Sequence, residues 1–149
     1  DWGSQTSLLI APALWRELFK PLYRQYCDLA HRKGKYILMH SDGYVADIIP
    51  DMIEIGVDAI NLQIFCMDIE QLADRYHHKV AFWGEIDRQH IQVFGTEEDM
   101  RKAVRRLSNA FFRHGRTGFV AQCYYTMNVT EANKRAEWDE WQKVILPRH

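Results

Sequence analysis

Only three cysteines, Cys27, Cys66 and Cys123, occur in 149 residues, and no two form a C-x-x-C pair. Their scarcity excludes a disulfide framework and fits a reducing compartment, so the chain reads as cytoplasmic. Charge of one sign is equally lacking: 19 basic against 20 acidic residues leave a formal net charge of -1. There is no broad field to draw in nucleic acid or an anionic membrane, and neither partner class is expected. No apolar run approaches the roughly 18 residues that span a bilayer. The opening residues Asp1-Trp-Gly-Ser-Gln5 lack the basic start of a secretory signal. They form a polar loop directly ahead of a long helical pattern, so the chain reads as the remainder of a longer protein. Proline- or serine-rich linkers and low-complexity tracts are absent, which leaves residues 1–149 as one partial domain.

What is present is a globular composition, 47% hydrophobic and 13% aromatic, arranged in alternating strand and helix patterns. Leu14, Leu18, Leu22, Tyr26 and Leu29 recur at three- or four-residue steps and predict one amphipathic helix from Pro12 to Arg32, stopped by Gly34. The apolar run Tyr36 to Met39 does not alternate, which predicts a parallel strand buried on both faces. Residues 44–55 read as helix divided at Pro50, with Pro50 opening the second piece. Residues 57–62 read as a second strand, and Asp68 as the cap of a helix ending near Tyr76. His77 and His78 make a turn before a third strand, 80–83, whose polar tip is Gly84-Glu-Ile-Asp87. Thr96 starts a helix running to about His114, and Gly115 and Gly118 mark the next turn. Residues 119–121 are a fourth strand with Gln122-Cys123 at its tip, and Thr130 begins a last helix carrying Trp138 and Trp141. Helix-sized crossovers force neighbouring strands to run parallel. Four such repeats amount to half of a (β/α)8 TIM barrel, which needs about 250 residues.

Parallel strands bring their carboxyl ends to one rim, and there His40, Asp42, Asn61, Gln63, Cys66, Glu85, Asp87, Gln89 and Cys123 converge. In barrels this rim is where sites are built. Zinc takes imidazole nitrogen, thiolate and carboxylate oxygen, and a catalytic site needs three protein ligands plus an open position. His40, Cys123 and one carboxylate meet that need, with Glu85, Asp87 and Asp42 as candidate acid–base groups. Other readings stand beside it. Asp42 precedes a helix and suits an N-cap, His40 suits a hydrogen bond within the barrel mouth, and Glu85 and Asp87 suit solvated loop acids or helix-end partners. Cys27 and Cys66 read as buried structural thiols, and the tryptophan pair as packing.

Certain segments together carry a resemblance. They are Asp1-Trp-Gly-Ser-Gln5 before the long helix, Pro21 within residues 19–23, the His40-Ser-Asp-Gly43 tip, residues 49–61, Gly84-Glu-Ile-Asp87 and Gly95-Thr-Glu-Glu98. The chain resembles the carboxyl-terminal half of the uroporphyrinogen decarboxylase and corrinoid methyltransferase superfamily. The resemblance implies a (β/α)8 barrel whose first strands and helices lie outside this sequence. In the zinc-dependent methyltransferase branch it implies a metal held by a His-x-Cys pair and a distant Cys, at positions resembling His40, Asp42 and Cys123. Asp42 stands where that branch has Cys and makes a harder site. The methyl group would come from a corrinoid on a partner protein and pass to a thiol. In the decarboxylase branch a His stands where this chain has Cys123, and tetrapyrrole decarboxylation needs no metal or other cofactor. A third expectation is a half-barrel inactive alone, whose two open sheet edges pair with another copy or with the missing amino-terminal half.

Overall fold

The computed structural model describes residues 1–113 and 118–146. Four strands, β1 (Leu38–Ser41), β2 (Ala59–Leu62), β3 (Ala81–Glu85) and β4 (Phe119–Gln122), form one sheet in the order β1-β2-β3-β4. Every pair is parallel, with Leu38 opposite Ala59, Ala59 opposite Ala81 and Phe82 opposite Phe119. Helices α1 (Pro12–Leu18) and α2 (Lys20–Arg32) precede β1; α3 (Ile49–Glu54), α4 (Ile69–Tyr76), α5 (Ile91–Phe94), α6 (Glu97–Phe111) and α7 (Glu131–Ile145) follow the strands in turn. The class is α/β, with the strand number and connectivity of half a (β/α)8 barrel. The expected end of the Thr96 helix at His114, and Gly115 of the next turn, lie outside the described residues.

Helix starts follow local chemistry. Asp68 accepts from Gln71 N at 2.9 Å, and Thr130 accepts from Asn133 N at 3.1 Å. Thr96 and Asp99 form a reciprocal capping box, with the acidic residues Glu97 to Asp99 at the positive end of α6. Pro50 sits in the first turn of α3, where its missing N–H costs nothing, and a short 3-10 turn, Ala46–Ile48, leads into it. Asp42 caps no helix: Val45 precedes that turn, and no side chain caps it.

The expected single helix over residues 12–32 is two helices. Pro21 offers no N–H to the carbonyl of Glu17 and crowds it, so the chain breaks at Phe19 before resuming. The face read as core is also the wrong one. Leu14, Leu18, Leu22, Tyr26 and Leu29 are 42–60% exposed, whereas Trp15 and Cys27 are buried. The pair carries two apolar stripes, and Trp2 selects between them: its ring meets Phe19 at 4.5 Å, Trp15 at 6.2 Å and Tyr23 at 6.3 Å.

The strands also differ from the expected burial on both faces. Met39, Ile60, Leu62 and Phe82 point into the helix layer and are at most 7% exposed, while Leu38 and Val120 on the other face are 48% and 47% exposed. Helices cover only one side, so burial alternates along β1, β2 and the first four residues of β3. Trp141 is buried as expected, but Trp138 is 56% exposed. Among the described residues, no helix is long and apolar enough to cross a membrane.

Candidate functional site

At the carboxyl ends of the strands lies an open pocket of about 240 Å³, lined by His40, Asp42, Asn61, Leu62, Glu85, Arg88, Gln122 and Tyr124. Strand alternation places these groups. His40 and Asn61 are opposite one another in β1 and β2, Glu85 is opposite Gln122 in β3 and β4, and all four lie where the open face meets the rim. Gly43, with φ +77°, turns the chain sharply after β1, and its Cα hydrogens face Gly3 O and Ser4 O so closely that a Cβ would sit 2.4 Å from them. This contact seats the opening loop on the rim. Trp2 N donates to Ser41 Oγ at 2.9 Å, Tyr44 N donates to Ser4 O at 2.7 Å, and Gln5 and Gln63 exchange amide hydrogen bonds at 3.0 Å.

Asp1 thereby reaches the strand tip. Its Oδ1 accepts from Asp42 N at 2.9 Å and lies 3.6 Å from His40 Nε2; Asp42 Oδ1 lies 3.9 Å from the same nitrogen. Asp1, His40 and Asp42 each offer a ligand atom, all within 4.8 Å of one another. A tetrahedral ion with bonds of about 2.0–2.2 Å sets its ligand atoms roughly 3.4 Å apart, so the spacing fits a divalent cation with one nitrogen and two oxygen donors. Of the nearby acids, Asp42 and Glu85 share one guanidinium, Arg88, and Asp1 faces His40. Arg88 pairs with Asp42 Oδ2, leaving Asp42 Oδ1 turned to His40.

Glu85 is the buried acid of the pocket, its side chain 6% exposed. Arg88 Nε lies 3.1 Å from Glu85 Oε1, yet that oxygen receives no well-aligned hydrogen bond. Burial raises the Glu85 pKa, opposed by Arg88 and reinforced by Asp42. The carboxyl is thus held closer to its protonated form than an exposed glutamate, which suits a proton donor or acceptor.

The other expected rim residues lie elsewhere. Asp87 accepts from the backbone N–H groups of Gln89 and His90 at 2.8 and 3.0 Å, closing the turn ahead of α5 without capping it, and does not line the pocket. Gln63 is buried and accepts from Gly43 N, and Cys66 donates its S–H to Gln5. Cys123 opens on a separate cleft with Tyr125 and Trp138 rather than on the His40 pocket. Its thiol is pushed up to about 11, first by burial and then by the neighbouring Glu137 carboxyl. The structure brings His40, Asp42 and Glu85 together and leaves Cys123 and Asp87 outside. Arg88 and Asp1 went unread in the sequence; the three-residue step from Glu85 to Arg88 was the available signal for one, and the facing Gly3 and Gly43 for the other.

A family model described as Uroporphyrinogen decarboxylase (URO-D) matches residues 2–139. No curated protein matches the chain.

Proposed function

The chain belongs to the uroporphyrinogen decarboxylase family, and on that premise we propose that its rim pocket serves metal-assisted methyl transfer to a thiol. The observation that carries this reading is the triangle of Asp1, His40 and Asp42, whose spacing fits one divalent ion and two of whose members line the pocket. Zinc is the proposed ion; when bound it would favour a substrate thiolate over the thiol at neutral pH. With two carboxylates and an imidazole the donor set is harder than one built on cysteines, and Cys123 is not part of it.

The chain's own residues do the rest. His40 and Asp42 fix the acceptor end of the pocket, Arg88 holds Asp42 in place, and Glu85 takes up the proton that the thiol releases. Gln122 and Tyr124 line the wall where the acceptor's body rests. The resemblance supplies a corrinoid on a partner protein as the methyl source. The compartment proposed is the cytoplasm, in keeping with three free thiols. Zinc titration followed by calorimetry tests the reading: one site in the native chain, abolished by His40→Ala, supports it, and no saturable site removes it.

A specific observation favours a second reading. Glu85, buried and raised in pKa beside Arg88, is also the pair that metal-free decarboxylation needs, one cation to hold a carboxylate and one acid to return a proton. Decarboxylated porphyrinogen formed by the full-length protein without added metal would select it. Both readings place this chain as the carboxyl-terminal half of a barrel. The open edges of β1 and β4 and the uncovered sheet face support an amino-terminal half as the covering partner, with a second copy as the competing occupant. Alone, the chain is expected to turn over poorly; full turnover by these 149 residues would contradict the half-barrel reading.

A further inference from the structure

A hydrogen-bond chain crosses all four strand tips. His40 Nδ1 lies 2.7 Å from Asn61 Oδ1, and Asn61 Nδ2 donates to Trp83 O at 3.0 Å and to Gln122 Oε1 at 2.7 Å. Amide orientations and imidazole tautomers are settled by such networks. Here one member admits no alternative: the Trp83 carbonyl can only accept. Asn61 must therefore turn its NH2 toward Trp83, and turning it the other way would set two acceptor oxygens 3.0 Å apart.

The consequence passes to His40. With the Asn61 NH2 committed to β3 and β4, only its oxygen faces β1, so His40 Nδ1 must carry a hydrogen and donate it. We propose that Asn61 is the positioning residue of the site: anchored by Trp83 O, it holds neutral His40 as the Nδ1–H tautomer, with the Nε2 lone pair facing Asp1 and Asp42. The Nε2 separations of 3.6 and 3.9 Å lie beyond hydrogen-bond reach, so no carboxylate in the site enforces the opposite tautomer. A lone pair facing two acceptor-only groups is unfavourable by itself. Asn61 imposes that arrangement, and a cation bound among the three relieves it.

The assignment of Asn61 rests on the hydrogen-bond geometry, and its consequence for ligand affinity rests on the metal reading above. Both are read in one series. Chains labelled with nitrogen-15 in histidine are compared by NMR on the alkaline side, where the ring is neutral, with the His40 signals identified by their loss in His40→Gln. Native chain is expected to show Nδ1 protonated and Nε2 free. Asn61→Leu is expected to move His40 to the opposite or a mixed tautomer, and Asn61→Ala, which removes the same oxygen with less bulk, is expected to do likewise. Zinc binding by the same proteins is expected to weaken about 10- to 100-fold in Asn61→Leu, the usual cost of losing a partner that orients a ligand. Native His40 protonated on Nε2, or an unchanged tautomer in Asn61→Leu, overturns the proposal. Should Asn61→Leu fail to fold, an unchanged tautomer in Asn61→Ala overturns it equally. If zinc binds none of the proteins while the tautomers behave as expected, the metal reading falls and the role of Asn61 stands.

Discussion

The two faces of the four-stranded sheet are built from the same strands by different rules. On the helix-covered face Met39, Ile60, Leu62 and Phe82 close into a continuous core with Met52, Ile69, Met100 and Leu107. On the open face the sequence runs from Leu38 and Val120 at one end to His40, Asn61, Glu85 and Gln122 at the other. One face is apolar except for Ser41 at the tip of β1; the other changes from apolar to polar within one strand length. Burial of apolar area near 25 cal/mol per Å² makes the first face the source of stability, whereas the second spends positions on polar groups that hold one another in place.

Substitutions of equal chemistry should then differ greatly between the faces. Phe82→Ala on the covered face, where the ring is fully buried and 5.4 Å from Phe111, is expected to cost about 3–5 kcal/mol in urea unfolding. A loss under 1 kcal/mol would mean that the helix layer is not a packed core.

The second effect concerns Glu137, on α7 within the covered side. It is fully buried, and neither carboxylate oxygen has a well-aligned hydrogen bond, although Cys123, Trp141 and Tyr125 lie against it. Burial pushes its pKa up to about 7, and the hydrogen-bonding neighbours only partly oppose this. The native state therefore holds this proton more tightly than the unfolded chain, whose glutamate titrates near 4.3. Stability contributed by the neutral form is present at acid pH and is lost as pH rises through about 7. The loss is on the order of 3 kcal/mol. Glu137→Gln should flatten that decline; an unchanged pH profile of stability would show that Glu137 is ionised and compensated in the native protein.

Smaller effects sharpen the contrast. Thr96→Ala removes the capping box of α6 and is expected to cost about 1 kcal/mol. Leu38→Ser and Val120→Ser, half-exposed on the open face, are each expected to change stability by less than about 0.5 kcal/mol in the isolated chain. A larger loss there would indicate that something already covers the face in solution.

The same contrast explains how much could be read from the residues alone. Periodicity and caps located all four strands and the starts at Asp68, Thr96 and Thr130, because those signals are local. The choice of buried stripe on α1 and α2 was not local. Leu14, Leu18, Leu22, Tyr26 and Leu29 form a regular pattern, but the ring of Trp2, far from most of them in sequence, packs on the other stripe. For the site, strand tips identified His40, Asp42 and Glu85, since a parallel sheet gathers tips at one rim. Side-chain direction decided the remainder: Gln122 and Tyr124 face the pocket, and Cys123 between them points away. Asp1 arrives through the contact of Gly3 with Gly43, a long-range approach that residue spacing does not reveal.

Zinc binding by the native chain, compared with His40→Ala, Asp1→Asn and Cys123→Ser, tests the central claim most directly. The account predicts one saturable site, lost in His40→Ala, weakened in Asp1→Asn and unchanged in Cys123→Ser. Absence of a saturable site, or binding that depends on Cys123 and not on Asp1, would contradict it.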